Sequence, residues 1–376
     1  MKKPLIPVLF CLINLFFLIA GPVAHAWLVE RVSLTNDGRE TSGPSGSYPT
    51  SQYPAMTPDG RYVLFSSKGT NLVEGDTNGK YDLFLRDRKK GTTVRVNVSS
   101  SGAEVTDKDT YQGSISPDGR YAAFSSPSAQ LAADANGKYQ VYLRDTVAGT
   151  TTMISRSNDG APGNNTSSLN DVPVFSADGN YIAYSSNATN LAGGVTTATN
   201  QIYLYDRRNG QTTLITKTAD GTPGDGSSTN PVISGDGRYI AFVSSAKNLT
   251  SPALDSAYNL ILLHDRQTGQ TTLVSKSPAG AVSNQGCSYP GISRDGGYVV
   301  FHTYATNLVS GMTGNTKDQV YLYDVAAGSL TLITKNAEGV PGDNSSHYAV
   351  ISPDGRYVAF KSGAQNLLAD NTKLSY

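Results

Sequence analysis

Short apolar runs recur along the chain, and each one follows a tight-turn sequence. In the first repeat, AMTPDGRYVLFSS spans residues 55–67 and carries YVLF at 62–65. Four consecutive apolar positions are typical of a strand covered on both faces. Pro presets the backbone for the second turn position, and Gly accepts a positive φ. The stretch therefore predicts strand, turn, strand.

The same pattern returns five more times. YVLF is followed along the chain by YAAF, YIAY, YIAF, YVVF and YVAF, and the turn aspartates are separated by 59, 60, 58, 59 and 59 residues. A period this regular indicates a repeat architecture. The six turn aspartates are Asp59, Asp118, Asp178, Asp236, Asp295 and Asp354.

Two further strands complete each repeat. DLFLRD, QVYLRD, QIYLYD, LILLHD and QVYLYD predict a third strand, and each ends in an aspartate four residues before a glycine, as in Asp87 and Gly91. That spacing is typical of a hairpin loop with Gly in the left-handed position. TTVRVNV and its equivalents predict the fourth strand.

Four antiparallel strands per repeat, with no helical periodicity, predict an all-β fold, a six-bladed β-propeller over residues 27–376. Residues 28–34 resemble a fourth strand, so we expect Val32 and Leu34 to pair with the last repeat and close the ring. Asp82, where the third strand of the first repeat begins, lies 17 residues after Phe65. The same offset from Phe360 gives position 377, one beyond Tyr376. We therefore expect an incomplete, three-stranded last blade, frayed from about Ala369.

The first 26 residues, MKKPLIPVLFCLINLFFLIAGPVAHA, combine two lysines, an apolar run and an Ala-x-Ala ending. This is the pattern of a secretory signal peptide cleaved after Ala26. The apolar run is short for a membrane anchor. We therefore expect a periplasmic or secreted protein without a transmembrane span after cleavage.

Charge and cysteine content narrow the classes of partner. Removing Lys2 and Lys3 from 30 basic residues leaves 28, against 30 acidic residues. A net charge near zero gives no electrostatic reason to expect nucleic-acid binding. After cleavage only Cys287 remains, so no internal disulfide can form. We expect a monomer that is stabilised by packing.

The S-P-D-G-R-Y-x-x-F core and the amide-leucine pair twelve residues after each turn aspartate resemble TolB-type propellers, which are built from WD40-like PD40 repeats. The resemblance covers residues 27–376. It implies a propeller of the kind found in the periplasmic Tol–Pal system and in secreted relatives. TolB itself carries an α/β domain before its propeller, which this resemblance does not include, so a role as TolB itself is not expected.

Residues that differ between repeats are the candidates for recognition, because one asymmetric ligand cannot use six equivalent positions alike. The repeated Asp-Gly and Asn-Leu positions are interpreted as structural. The loops before the innermost strands vary, and we predict that they ring the mouth of the central channel. Tyrosines among amides suit contacts with an envelope or extracellular protein, a peptide or a glycan. The predicted funnel residues are Gln52, Tyr53, Tyr111, Gln112, Asn170, Asp171, Asn230, Tyr289, His347 and Tyr348.

A catalytic function has weaker support. The chain has no G-x-S-x-G and no H-E-x-x-H sequence. The alternative to a binding module is a polysaccharide lyase or glycosidase that uses Asp171 and Asp109. We expect no catalytic residues and no cofactor.

Two groups of residues resemble metal sites, but no metal site is expected at either. Cys287, His302 and His347 should lie near the same end of blades five and six, but the ligand count is short. Asp76, Asn78 and Asp82 alternate as calcium ligands do, yet the loop lacks the terminal glutamate of an EF-hand. A polar turn before the third strand is the favoured interpretation.

Overall fold

The structure is a computed structural model that describes residues 30–45, 54–312 and 314–368, and its regular secondary structure there is entirely β-strand. The strands form five four-stranded antiparallel sheets and one two-stranded sheet, each built from one repeat. We number these sheets as blades one to six of a β-propeller. No helix in the described part is long and apolar enough to cross a membrane.

The strand bounds follow the predicted repeat. Blades one and two contain β1 (Ala55–Met56), β2 (Tyr62–Ser67), β3 (Asp82–Asp87), β4 (Thr92–Arg95), β5 (Gly113–Ile115), β6 (Tyr121–Ser126), β7 (Gln140–Asp145) and β8 (Thr150–Met153). Blades three and four contain β9 (Val174–Phe175), β10 (Tyr181–Ser186), β11 (Gln201–Asp206), β12 (Gln211–Leu214), β13 (Ser228–Ile233), β14 (Tyr239–Ser244), β15 (Leu260–Asp265) and β16 (Gln270–Leu273). Blades five and six contain β17 (Cys287–Ile292), β18 (Tyr298–Thr303), β19 (Gln319–Asp324), β20 (Ser329–Leu332), β21 (Ser346–Ile351) and β22 (Val358–Ser362).

The repeated turn is built by its own side chains. In blade two the Ser116 hydroxyl donates to Asp118, whose Oδ1 also accepts the Arg120 amide at 3.1 Å. Gly119 has φ 73°, and a Cβ there would lie 2.1 Å from the ring of Tyr62 in the preceding blade. The glycine is therefore required both by the turn and by the contact between blades. The structural interpretation of the Asp-Gly repeat is confirmed.

The core lies between the blades. Each pair of neighbouring blades from one to six shares an apolar cluster, formed mainly by residues of the second and third strands. The leucines of the amide-leucine pairs are buried in every repeat. Asn190 shows the role of the amide: it donates to Pro162 O at 2.8 Å and accepts from Asn164 N at 2.9 Å. The pair therefore fastens each blade to the linker that precedes it.

The N-terminal segment lies against blade one. The carbonyl of Leu34 accepts a hydrogen bond from Thr93 Oγ1 at 2.7 Å, and Val32 packs against the cluster that contains Phe65. Val98, which follows the fourth strand of blade one, makes the corresponding bond to blade two. Leu34 is thus the equivalent of Val98 and belongs to a linker.

The expected pairing of Val32 and Leu34 with the last repeat is therefore wrong, because both residues lie against blade one. Aligned on β4, the fourth strand corresponds to residues 28–31, and residues 28 and 29 lie outside the described residues. A closing strand at this place stays a prediction. The expected fraying from Ala369 also falls outside the described residues.

Blade six is described as the two strands β21 and β22. Val350 on β21 is 62% exposed. Its equivalent in blade four, Val232, packs against the cluster shared with blade five. Val350 of blade six is therefore exposed on the face that, at Val232 of blade four, is covered by the next blade.

Candidate functional site

The innermost strands of blades four, five and six carry the same irregularity at their beginning. The pairing register shifts between Thr229 and Val232 in blade four, and at the equivalent positions of blades five and six. Asn230, Tyr289 and Tyr348 occupy the bulge with φ of 52°, 51° and 54°. A left-handed backbone is common for asparagine but costs free energy at a tyrosine.

The bulges of blades five and six bring two predicted funnel residues together. The rings of Tyr289 and Tyr348 meet edge to face with their centroids 5.2 Å apart. They remain 46% and 43% exposed. His302 stacks on Tyr289 at 5.4 Å, and His347 contacts the His302 ring at 5.3 Å. We call Tyr289, His302, His347 and Tyr348 the aromatic cluster.

An acidic residue borders the aromatic cluster. Asp318 lies directly before β19, and its carbonyl accepts the Ser346 amide at 2.8 Å, which holds it beside the start of β21. Its Oδ2 is 3.4 Å from Nδ1 of His347. Burial raises the pKa of the Asp318 carboxyl, and the neighbouring His347 opposes that rise. Donor atoms of His302, Asp318 and His347 all lie within 4.8 Å of one another. We call these three residues the His–Asp cluster.

His302 is the buried member of both clusters. Burial lowers the pKa of its imidazole to about 4, with His347 adding to that effect. The ring is therefore neutral near pH 7. Its Nδ1 has no hydrogen-bond partner among the described residues. A neutral imidazole with a free ring nitrogen is able to donate a lone pair.

Asp171 and Asn230 form a second meeting point, between blades three and four. Blade three has three additional residues before its innermost strand, and they include Asn170 and Asp171. Asn170 is exposed, whereas Asp171 is buried and accepts the amide of Asn230 through Oδ2 at 3.1 Å. Burial raises the pKa of the Asp171 carboxyl. Asp171 thus binds the backbone of the bulge at Asn230 and does not line an open surface.

The remaining predicted funnel residues are more scattered. Tyr111 is half-buried against Tyr81, with ring centroids 5.3 Å apart. Gln112 is half-buried at the position equivalent to Asn230. Gln52 and Tyr53 lie outside the described residues.

The two carboxylates that a polysaccharide-active enzyme would need are both engaged by the backbone. Asp109 Oδ1 accepts the Tyr81 amide at 2.8 Å, and Asp171 is held as described above. A general acid or base must reach its substrate. A buried Asp171 does not favour this role.

The Cys287 thiol is not part of the His–Asp cluster. Cys287 pairs with Thr303 and Ser288 pairs with His302, so the side chains of Cys287 and His302 leave the sheet on opposite faces. The thiol is buried and contacts Ser283 Oγ at 3.5 Å. Asp318, and not Cys287, is the third donor near the two histidines.

The acidic loop of blade one holds an arginine. Asp76, Asp82 and Glu104 lie close enough to share a cation. However, Arg95 Nη1 lies 3.5, 3.2 and 2.6 Å from their carboxylates. Asn78 donates to Asp82 at 2.9 Å. The guanidinium supplies the positive charge within this group, which favours the polar-turn interpretation over a calcium loop.

The repeated turns line a cavity at the mouth opposite the bulges. Turn residues of blades three to six surround it, with Arg294 as the one basic side chain of its lining among the described residues. The turns are joined by backbone bonds, including the Gly235 amide to Arg294 O at 2.6 Å. Each turn carboxylate accepts hydrogen bonds within its own turn, as in blade two. The residues that line this cavity therefore have a structural role.

Sequence analysis placed His302 and His347 at the correct ends of their strands but missed Asp318. A signal was present, because the residue before the third strand is Tyr81, Tyr139, Asn200 or Asn259 in blades one to four. Only blade five has an ionisable carboxylate there. The spacing of the repeats along the sequence did not show that Asp318 faces the next blade.

The chain has limited similarity to known proteins. No protein-family profile and no curated protein matches the chain. Among solved structures, a protein assigned as TolB from Agrobacterium tumefaciens is 20% identical with a TM-score of 0.47, over 86% of this chain and 92% of that one. TolB from Acinetobacter baumannii is 17% identical with a TM-score of 0.41, over 85% of this chain and 57% of that one.

The tricorn protease is 15% identical with a TM-score of 0.45, over 83% of this chain and 28% of that one. The chain thus spans a little over half of the second structure and less than a third of the third. The strand pairing within the six repeats defines the propeller fold.

Proposed function

We propose that this protein is a non-catalytic binding module, periplasmic or secreted, that recognises a protein, peptide or glycan through the varied loops at the bulge-bearing mouth. The observation that supports it is the exposed pair Tyr289 and Tyr348. Each ring belongs to a residue with left-handed backbone and packs against the other ring. Backbone strain that presents an aromatic ring to solvent is a cost that folding alone does not require.

Paired tyrosines suit these ligands for physical reasons. Each ring offers a flat apolar face, a hydroxyl group and few rotatable bonds, so little entropy is lost when it binds. Sugar rings stack on such faces, and peptide groups bond to such hydroxyls. The neutral net charge of the chain gives no preference for a strongly charged polymer.

A binding screen with a matched variant tests the proposal. Immobilised protein is exposed to a glycan array and to a peptide library, and each hit is titrated by calorimetry. Tyr289→Asn with Tyr348→Asn adopts the residue that blade four has at this position, Asn230, which accommodates the left-handed backbone. We expect at least about tenfold weaker binding with little change in Tm.

Tyr258→Asn is the control, since Tyr258 is a 41% exposed tyrosine outside the aromatic cluster. It should bind like the unmodified protein. Equal binding by the Tyr289 and Tyr348 double variant would place recognition elsewhere on the molecule. If the protein releases shortened polymer from a glycan hit, and Asp171→Asn abolishes that release, the protein is an enzyme and the binding-module proposal is wrong.

A further inference from the structure

We propose that the His–Asp cluster of His302, Asp318 and His347 binds a divalent transition-metal ion of the zinc class at the junction of blades five and six. Metal binding at this cluster is independent of the organic ligand proposed above. Two imidazoles and one carboxylate are a donor set that zinc uses when one position is left open to water or to a ligand. The harder ions calcium and magnesium prefer oxygen donors.

The separations fit the size of such an ion. Donors about 2.0–2.2 Å from a tetrahedral zinc lie roughly 3.3–3.5 Å from one another. The Asp318 to His347 separation of 3.4 Å already has this value. The three donors lie within 4.8 Å, so the remaining difference requires small side-chain movements. The side chains of His347 and Asp318 are 33% and 25% exposed and have room to move.

The buried ring supplies an independent observation. His302 is 7% exposed, and its Nδ1 has no partner among the described residues. Leaving a buried polar atom unsatisfied costs free energy. Coordination, directly or after a ring flip, would satisfy the ring.

Comparison between repeats shows that the cluster is not part of the scaffold. The positions equivalent to His302 are Ser66, Ser125 and Ser185 in blades one to three, and those equivalent to Asp318 include Asn200 and Asn259. Thr229 of blade four is equivalent to His347. The three donors thus occur together at one junction of the described ring. Each can be replaced by a residue that the same backbone position already accepts.

The experiment measures zinc binding by the full chain. Protein stripped with a chelator is dialysed against zinc, and the bound metal is counted by elemental analysis, with affinity measured by calorimetry. We expect one zinc ion per chain and a rise in Tm. The matched variants His302→Ser, Asp318→Asn and His347→Thr should each weaken binding at least about tenfold while keeping the circular dichroism of the unmodified chain.

Cys287→Ser is the control, because blades four and six carry Ser228 and Ser346 at this position. It should bind zinc normally. Cobalt substitution adds a spectroscopic check: nitrogen and oxygen ligation gives visible bands without the intense near-ultraviolet absorption of a thiolate. Absence of stoichiometric zinc, or equal binding by the folded His302→Ser and Asp318→Asn variants, would overturn the proposal. Loss of binding in Cys287→Ser would overturn the assigned ligand set.

Discussion

The junction between blades one and two and the junction between blades five and six share one backbone hydrogen bond but differ in side chains and in the bulge, which blade six has and blade two lacks. Thr110 N donates to Tyr81 O at 2.7 Å, and Ser346 N donates to Asp318 O at 2.8 Å. At the first junction the facing side chains are Tyr81 and Tyr111, whose rings are in contact. At the last junction they are an aspartate and a histidine.

One residue further along the chain, at the first position of the third strand, blade one has a charged residue and blade five has a neutral one. In blade one, buried Asp82 is bound by Asn97 at 2.6 Å and by Arg95. In blade five the equivalent residue is Gln319, whose Oε1 accepts from Thr334 at 2.5 Å. Blade one thus buries charge at Asp82 and has Tyr81 at the mouth, whereas blade five has the neutral Gln319 at the buried position and Asp318 at the mouth. The fold tolerates either chemistry, so the side chains at these positions are free to carry function.

The largest expected effect comes from removing the buried cation of blade one. Arg95→Met leaves Asp76, Asp82 and Glu104 without a guanidinium, and an uncompensated buried charge costs about 3–5 kcal/mol. Burial already raises the pKa of Asp76 to about 6. The loss should therefore be smaller at pH 5 than at pH 8, because a protonated carboxyl leaves no charge unpaired. Urea unfolding at both pH values measures it.

The control for this experiment is built into the chain. Blade two has Gln140 and Met153 at the positions of Asp82 and Arg95. The double variant Asp82→Gln with Arg95→Met should recover a large part of the stability that Arg95→Met loses. If Arg95→Met alone unfolds at the same urea concentration as the unmodified chain, the carboxylates do not depend on Arg95.

A smaller effect is expected at the hairpin end of the same blades. The Arg61 guanidinium binds Asp87 and holds the pKa of its carboxyl at about 2, with further help from the Lys89 and Lys90 amides. A lowered pKa means that this stabilisation is complete above about pH 5 and is lost as the pH falls from about 4 towards 2. The stability difference between the unmodified chain and Asp87→Asn should shrink over that range.

Blade five supplies the comparison, since Asp324 is equivalent to Asp87 and Gly297 replaces Arg61. Asp324→Asn should therefore change the acid dependence of unfolding less than Asp87→Asn does. Thermal melts from pH 5 to pH 2 give both curves. Parallel curves for Asp87→Asn and the unmodified chain would show that the ion pair adds nothing to the acid dependence.

The sequence predicted the scaffold because each scaffold position recurs in five or six repeats. The bounds of β3 coincide with the predicted DLFLRD strand, and the structural interpretation of the Asn-Leu positions is confirmed. The site was harder to predict because it depends on contacts that occur once. Left-handed backbone at Tyr289 has no glycine to mark it, and Asp318 is recognised only when β21 is seen beside it. The burial of Asp171 likewise follows from an insertion in blade three that its spacing from the turn does not reveal.

The smallest effect on stability is expected from moving the His–Asp cluster to the first junction. Ser66→His, Tyr81→Asp and Tyr111→His reproduce the three donors on the equivalent backbone positions of blades one and two. The lost tyrosine contact and the larger buried side chain should cost about 1–3 kcal/mol. Because the same backbone hydrogen bond joins the strands at both junctions (2.7 and 2.8 Å), the triple variant should bind a second zinc ion. In a His302→Ser background it should bind one, and replacing its new aspartate with asparagine should weaken that binding. A triple variant that folds, judged by circular dichroism, but gains no zinc would show that the shared hydrogen bond is not sufficient. The bulge of blade six would then be a further requirement of the site.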